Sequence, residues 1–295
     1  MRPALLPLLV PLALIAGCGG TAASSTVGLR ATSRVEVVTA AYPFEWLTEQ
    51  VGGPDVAIAN LVKAGTEPHE VELSPRQVAS LKTAGLVVYL RGFQPAVDAA
   101  VGEADHPPMD LGSVVSQQML AGSDGSKDPH IWLDPIRMQT IATALGERLT
   151  QQDPAHAVDY RSRAAATVVK LAGLDTLFRS SLARCRTRDI VTSHSAFGYL
   201  AGRYGLVQRG ISGLSPDAEP SPGRIAEVAL FAREHHVTTI FFESLVDPKV
   251  ARTVAAEVGA KTAVLDPVEG VKAGDDYLTV QTRNAAALHQ ALGCA

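Results

Sequence analysis

The chain has 295 residues, of which 46% are hydrophobic and 19% are charged. Its formal net charge of −4 at pH 7, with no basic cluster, excludes the positively charged surface with which proteins bind nucleic acids. The length that remains after an export signal, about 260 residues, is enough for one large or two modest domains.

Residues 1–17 predict a lipoprotein signal peptide. An apolar run from Ala4 to Ala16 follows an early arginine and ends in a lipobox, Ile15-Ala16-Gly17-Cys18. The run is shorter than the roughly 20 apolar residues that span a bilayer. We therefore expect an exported protein, lipidated on Cys18 and held on the extracytoplasmic face of the membrane by this lipid anchor. An uncleaved helix is the alternative, disfavoured because residues 18–33, rich in Gly, Ser and Thr, are typical of a flexible tether.

Residues 34–134 predict an N-terminal α/β lobe. Alternation of strand-type and helix-type segments is typical of a parallel sheet flanked by helices. The segments in chain order are VEVVTAA, FEWLTEQVG, VAIANLV, SPRQVASLKTAG, LVVYLRG, FQPAVDAAVG and MDLG.

Residues 135–185 predict linking helices, with a helix of about 30 residues from Pro154 to Arg184. Asp153 is the predicted N-cap of this helix, before proline at its first position. A long helix is a rigid connection, so a large hinge closure is not expected.

Residues 186–295 repeat the alternation and predict a C-terminal α/β lobe. Its segments are IVTSHS, AFGYLAGRYG, VQRGIS, SPGRIAEVALFAREHH, VTTIFFES, DPKVARTVAAEVG, AVLDPVEG and YLTVQTRNAAALHQALG. Cys185 and Cys294, the two cysteines beyond the lipobox, are expected to form a disulfide in an exported protein. Two buried free thiols are the alternative.

Three histidines about sixty residues apart each lie in a short polar turn beside an apolar run: His69 in TEPHEVELSP, His130 in KDPHIWLDP and His194 in VTSHSAFGYL. Ligands bind beyond the carboxyl ends of parallel strands, where these turns are predicted. Imidazole nitrogen suits zinc, copper, iron or nickel better than calcium or magnesium. Three unrelated surface histidines are the alternative, and the matched contexts favour one metal between the lobes.

These motifs resemble the metal-binding solute-binding lipoproteins of bacterial ABC importers for zinc and manganese. The resemblance covers nearly the whole mature chain and rests on GTEPHEVELSPRQV, DPHIWLDP, TSHSAFGYLAGRYGL, IFFESLVDPKVARTVAAEVGA and LDPVEGVKAGDDYLTVQTRNAAAL. It implies an α/β fold of two lobes, each with a parallel sheet flanked by helices, joined by one long rigid helix. It also implies that His69, His130 and His194 bind one metal ion in the cleft.

The fourth ligand varies in such proteins, and the resemblance leaves three candidates here. Glu269, in the loop after the final strand, is the first choice. Asp266 is the second, although Asp before Pro commonly forms a turn. Glu67, two residues before His69, is the third.

Other carboxylates are candidates for orienting the ligand imidazoles, since a ligating histidine usually donates its other N–H to a carboxylate or carbonyl. We expect this supporting role for Glu243. Glu70, Glu72 and Asp128 are close to the histidines in sequence, but we assign all three to solvent or to helix capping and leave them outside the site.

The residue at the position of the third histidine indicates which metal is bound, because the resemblance implies a carboxylate at this position in manganese-selective relatives. Three imidazoles and one oxygen favour tetrahedral Zn(II). Zinc-specific relatives often carry a long His- and Asp-rich loop before the second histidine, but here that segment is only AGSDGSKDPH. His106 is a candidate remnant of such a loop, and we assign it instead to an ordinary surface loop.

The resemblance therefore predicts a monomeric, non-enzymatic zinc-binding component of an ABC importer, working with a permease and its cytoplasmic ATPase. The chain has no G-x-x-x-x-G-K-[ST] motif, so a partner must hydrolyse ATP. The alternatives are a manganese- or iron-binding member of the same family and a metal-dependent surface adhesin. A secreted zinc hydrolase is less favoured, because the helical H-E-x-x-H motif is absent.

Overall fold

The computed structural model describes residues 34–115 and 127–295. The chain from Arg34 to Ala295 groups into one compact unit. The predicted signal peptide (1–17), the lipidated Cys18 and the tether (18–33) lie outside the described residues. So does most of the short loop that precedes His130.

The first sheet is built by alternating strands and helices, as the segment pattern predicts. Its four strands are parallel in the order β2-β1-β3-β4. Strand β3 is buried along its whole length, which suits its continuous apolar sequence LVVY between two helical layers. The elements are β1 (Val35–Thr39), α1 (Tyr42–Gly52), β2 (Val56–Asn60), α2 (Pro75–Thr83), β3 (Leu86–Tyr89), α3 (Pro95–Val101), β4 (Met109–Asp110) and α4 (Leu111–Val114).

Two helices follow, α5 (Pro135–Gln152) and α6 (Ala157–Ser181). Helix α6 has 25 residues and is about 37 Å long. The two helices approach closely at Gly146, where an added Cβ would lie 2.8 Å from the Cβ of Ala164. This close approach explains why glycine is present inside α5.

The predicted bounds of the long helix were wrong at both ends. A 3₁₀ turn, Pro154–His156, precedes α6, and the helix ends at Ser181 before Arg184. Asp153 is the N-cap residue of this 3₁₀ turn, before Pro154, but without a side-chain capping hydrogen bond. One oxygen of its carboxylate accepts hydrogen bonds from His156 Nδ1 at 2.5 Å and from the Tyr160 hydroxyl at 3.0 Å.

The second sheet has the same strand order as the first, β6-β5-β7-β8, and is also parallel. The fold is therefore two lobes that each carry a four-stranded parallel sheet flanked by helices, as expected. The elements are β5 (Asp189–Thr192), α7 (Gly198–Tyr204), β6 (Val207–Gly210), α8 (Pro222–Glu234), β7 (Thr239–Phe242), α9 (Lys249–Val258), β8 (Lys261–Val264) and α10 (Tyr277–Ala291).

One hydrophobic core runs from the first sheet through α5 and α6 to α10 and the loop that follows β8. A smaller cluster fills the space between β5, β7, α8 and α9. Tyr277 of α10 stacks on Trp46 of α1, with ring centroids 4.5 Å apart, and donates its hydroxyl to the Trp132 carbonyl. The shared core holds the last helix of the second lobe against the first lobe.

Cys185 and Cys294 form a disulfide, the first of the two alternatives for these residues. The bond ties the segment after α6 to the end of the chain. Among the described residues, no helix is both long and apolar enough to cross a bilayer.

Candidate metal centre

Four buried side chains from four separate loops meet between the two sheets. His69 follows β2, His130 lies just before the 3₁₀ turn Ile131–Leu133, His194 follows β5 and Glu269 follows β8. One ligand atom from each residue lies within 4.8 Å of the others. The loops come together because strands that are parallel within each sheet end at the same edge.

Three of the distances between the ligand atoms match the edges of a tetrahedral zinc site. Oε1 of Glu269 lies 3.2 Å from Nε2 of His69, 3.2 Å from Nε2 of His130 and 3.8 Å from Nε2 of His194. The Nε2 atoms of His130 and His194 are 3.3 Å apart. A tetrahedron with zinc–nitrogen distances of 2.0–2.1 Å has ligand–ligand edges of about 3.3 Å. Three imidazole nitrogens and one carboxylate oxygen thus form a donor set that fits zinc.

His130 is oriented by Asp128, which lies in the same turn. One carboxylate oxygen of Asp128 accepts the His130 backbone N–H at 2.9 Å and the Nδ1–H at 2.7 Å. When a metal replaces the proton on Nε2, this bond keeps the other proton on Nδ1 and leaves the Nε2 lone pair directed towards the metal. Asp128 is itself buried, and its carbonyl accepts the Tyr199 hydroxyl at 3.1 Å.

His194 is oriented by Glu243, at the end of the neighbouring strand β7. Oε1 of Glu243 lies 2.6 Å from Nδ1 of His194 and also accepts the Ser193 hydroxyl. The carbonyl of His194 accepts hydrogen bonds from the hydroxyl of Thr192 at 2.6 Å and from Nε2 of Gln208 at 3.2 Å. Both the ring and the backbone of this histidine are therefore fixed from within the second lobe.

His69 is held by packing and by its backbone. Its ring meets the Phe93 ring edge-on, with centroids 4.9 Å apart. The buried amide of Gln94 donates to the carbonyls of Ala40 and Pro68, which ties the loop before His69 to the end of β1. The Glu67 carboxylate accepts the His69 backbone N–H at 3.0–3.1 Å.

Glu269 is presented by a tight turn that contains Asp266. Oδ1 of Asp266 accepts the Val268 N–H at 2.8 Å, and the other oxygen accepts the Ser244 hydroxyl. The structure thus gives Asp266 the role of a turn residue outside the cluster, while Glu269 lies within it. Glu67 lies at the edge of the cluster, 3.9 Å from Nε2 of His69.

The buried groups shift one another's protonation. Burial lowers the pKa of His130, but hydrogen bonds to Asp128 and Glu269 outweigh it and raise that pKa to about 9. Burial dominates for His69 and lowers its pKa despite the nearby Glu269. Burial also opposes ionisation of Glu269, yet the hydrogen bonds to His130 and His69 hold its pKa well below the usual range. A negatively charged Glu269 in a buried site favours binding of a cation.

One supporting residue, Asp128, differs from expectation. Glu243 orients a ligand imidazole, as expected. Asp128 does the same, so its assignment to solvent or capping was wrong; the signal was a carboxylate two residues before His130 across a proline. Glu70, Glu72 and His106 are outside the cluster, as expected of residues that do not belong to the site.

The chain has two lobes with parallel sheets, a helical connection between them, and a buried cluster of three histidines and one carboxylate beyond the strand ends. These features define a solute-binding protein for a metal ion. The chain belongs to the family described as "ZnuA: Zinc-uptake complex component A periplasmic", whose model matches residues 37–291. This match confirms the resemblance inferred from the motifs.

Curated relatives and solved structures agree with this assignment. The high-affinity zinc uptake system protein ZnuA of Bacillus subtilis is 30% identical over 302 residues, which cover 95% of this chain and 94% of the relative. The zinc-binding lipoprotein AdcA of Streptococcus pneumoniae is 33% identical over 88% of this chain. The chain spans only 56% of that longer relative.

Two solved structures show the same fold. The laminin-binding protein Lmb of Streptococcus agalactiae is 32% identical, with a TM-score of 0.81 over 88% of this chain and 99% of that chain. The Zn(II)-bound ZnuA-like domain of Streptococcus pneumoniae AdcA is 34% identical, with a TM-score of 0.76 over 88% and 99% of the two chains.

Proposed function

We propose that this protein captures Zn(II) outside the cytoplasm and delivers it to an ABC permease for high-affinity zinc uptake. His69, His130, His194 and Glu269 are the proposed ligands. The observation that carries the proposal is the cluster of four buried donor atoms, in which three of the distances match the edges of a zinc tetrahedron. The zinc-uptake and zinc-binding names of the relatives support it.

The choice of zinc over manganese depends on His194. A third imidazole suits zinc, whereas a carboxylate at this position would give two oxygen donors and suit manganese better. Geometry and ligand type must provide the selectivity, because copper binds most such sites more tightly than zinc.

A calorimetric titration with zinc and manganese tests the metal assignment. We expect one zinc ion per chain, with zinc preferred over manganese at equal free concentration. His194→Glu should weaken zinc binding and narrow that preference. Manganese preference in the unaltered protein, or unchanged zinc affinity in the variant, would contradict the assignment.

Delivery requires partners and a location outside the cytoplasm. We propose a monomer that docks on a permease driven by a cytoplasmic ATPase, and a lipid on Cys18 that holds it at the membrane. The lipoprotein name of the pneumococcal relative supports the anchor. Labelling with radioactive palmitate in an expressing bacterium, with Cys18→Ser as the unlabelled control, tests this point.

We propose that no catalysis occurs at this site. A catalytic zinc site keeps one position open for water, whereas here Glu269 is 2% exposed and supplies the fourth donor. The buried carboxylate therefore favours storage and transfer of the ion over hydrolysis. Peptide or ester cleavage by the zinc-loaded protein, abolished by His194→Ala, would contradict this proposal.

Adhesion is a second candidate function. The observation that favours it is the 32% identity to Lmb, whose structure is described as that of a bifunctional protein with adhesin and metal transporting activity. Binding of the purified protein to immobilised laminin tests it. If His194→Ala loses zinc binding but keeps laminin binding, the two functions use different surfaces.

A further inference from the structure

The turn before Glu269 contains a backbone conformation that a valine rarely adopts. Val268 has φ of 60°, within the left-handed region, and is fully buried. Among the described residues, the only other non-glycine with positive φ is His236, at the exposed end of α8. A β-branched residue in this region is strained, and such strain persists only where the surroundings impose it.

Three side chains hold the backbone of this turn with hydrogen bonds. The side chain of Asn284, on α10, accepts the Asp266 N–H at 2.9 Å and donates to the Asp266 carbonyl at 2.7 Å. The Asp266 carboxylate accepts the Val268 N–H at 2.8 Å. The indole N–H of Trp132, two residues after His130, donates to the Pro267 carbonyl at 2.7 Å.

We propose that Asn284 and Asp266 are positioning residues that hold Val268 left-handed, fix Glu269 as a single-oxygen ligand and thereby set the preference of the site for zinc over manganese. This inference rests on the proposed zinc-binding function and names the residues that determine its specificity. Neither residue belongs to the proposed ligand set.

The geometry of Glu269 explains why its position affects selectivity. Its Oε1 atom is close to all three Nε2 atoms, at 3.2, 3.2 and 3.8 Å. One oxygen completes a four-coordinate zinc site, whereas manganese favours more oxygen ligands and octahedral geometry. If Val268 relaxed to negative φ, Glu269 would rotate relative to the turn at Asp266 and Pro267, and its carboxylate would lose this position. The imposed turn therefore favours the four-coordinate ion.

The first test is Asn284→Ala, with zinc, manganese and Co(II) as probes. We expect zinc affinity to fall by about 10- to 100-fold, the range found when supporting groups around a metal are removed. The preference for zinc over manganese should narrow, and the visible d–d absorption of bound Co(II) should weaken as tetrahedral geometry is lost. Unchanged affinity, preference and Co(II) spectrum would overturn the inference.

A rescue experiment separates backbone positioning from general stability. Glycine adopts positive φ freely, so Val268→Gly in the Asn284→Ala background removes the strain that drives relaxation. We expect this double variant to regain part of the lost zinc preference and Co(II) absorption. The matched control, Asn284→Ala with Val268→Ala, also removes the valine methyl groups but keeps an L-residue, and should regain neither. Equal recovery in the two double variants would contradict the role of Val268.

Asp266 provides a second route if Asn284→Ala does not fold by circular dichroism. Asp266→Ala removes the acceptor of the Val268 N–H, and should reduce zinc affinity and preference as Asn284→Ala does. Asp266→Asn keeps an acceptor oxygen and should restore most of both. Equal behaviour of the alanine and asparagine variants would overturn the inference.

Glu269→Gln, measured in parallel, separates failure of this inference from failure of the proposed ligand set. If Glu269→Gln binds zinc as tightly as the unaltered protein, Glu269 is not a ligand and the proposed site is wrong. If that variant loses affinity while the Asn284 and Asp266 variants keep both affinity and preference, only the inference about positioning is wrong.

Discussion

Two turns of the first lobe, Glu67-Pro68-His69 and Asp128-Pro129-His130, share a sequence pattern but hold their histidines differently. In each, the carboxylate accepts the backbone N–H of the histidine two residues later. Asp128 also accepts the Nδ1–H of His130 at 2.7 Å. The Glu67 carboxylate instead lies 3.9 Å from the Nε2 atom of His69, on the ligand side of the ring.

The difference shows how one methylene group changes the role of a carboxylate. The shorter Asp128 side chain accepts the Nδ1–H, on the side of the ring away from the other ligands, and keeps a proton on this nitrogen. His130 is completely buried. His69 is 8% exposed and is oriented by the Phe93 ring and its own loop. His130 is therefore the preorganised ligand of the first lobe, and His69 is the ligand nearest to solvent.

The largest expected effect comes from removing the two histidines. His130→Ala should lower zinc affinity by more than about 100-fold, the largest loss usual for a supporting group. The reason is that a buried donor disappears and that Asp128 and Glu269 lose their partner. His69→Ala should cost less, since water can replace an imidazole near the surface. Competition with a chromogenic zinc chelator measures both. A larger loss for His69→Ala would reverse the assignment of the two roles.

The carboxylates of the two turns form a matched pair for the next test. Asp128→Ala should weaken zinc binding by about 10- to 100-fold through loss of ring orientation. Glu67→Ala should weaken it much less, because the Glu67 carboxylate accepts the backbone N–H of His69 without orienting its ring and lies at the edge of the cluster. The same chelator competition applies. Equal losses would mean that Glu67 is a direct ligand, the third candidate for the fourth position.

The pH dependence of binding should also differ between the turns. The raised pKa of His130, about 9, means that the metal-free protein carries a proton on this ring at pH 7, and zinc must displace it. His69 has a lowered pKa and is already neutral. Zinc affinity should thus rise as pH increases towards 9. Calorimetry in buffers of different ionisation enthalpy should detect the released proton at pH 7, and should detect less release in Asp128→Ala. No proton release in the unaltered protein would contradict this account.

The smallest effect on zinc binding should come from the disulfide, which is remote from both turns. Cys294→Ser should lower the free energy of unfolding by about 2–5 kcal/mol, the usual range for loss of a native disulfide. Zinc affinity at 25 °C should stay unchanged, because the four ligands keep their partners. Thermal unfolding with and without reductant measures the first effect. A marked loss of zinc affinity in the folded variant would show coupling between the disulfide and the site.

Much of the fold and the clustering of the ligands followed from the sequence. Strand and helix segments alternate clearly, and turns that follow parallel strands converge whatever the details of packing. His69, His130 and His194 could therefore be placed together from the segment pattern, whereas Glu269 was a first choice among three candidates that the resemblance implied. The limits of the long helix could not be predicted, because the 3₁₀ turn Pro154–His156 and the end of the helix at Ser181 depend on local geometry.

The roles of the acidic residues were harder to predict, because they depend on backbone dihedral angles and on side-chain length. Asp266 and Glu269 are three residues apart, with the left-handed Val268 between them. Asp266 is a turn residue, whereas Glu269 belongs to the metal-binding cluster. Asp128 looked like an ordinary residue before proline. Only the short distance to Nδ1 of His130 reveals its role in orienting the ring.

The central claim is that four named side chains from two lobes bind one zinc ion. Anomalous diffraction from crystals of the zinc-loaded protein, collected on both sides of the zinc absorption edge, tests it most directly. We predict a single strong peak bonded to Nε2 of His69, His130 and His194 and to one oxygen of Glu269, with zinc–nitrogen distances of about 2.0–2.1 Å. A peak elsewhere, or one that lacks His194 or Glu269 among its ligands, would contradict the account.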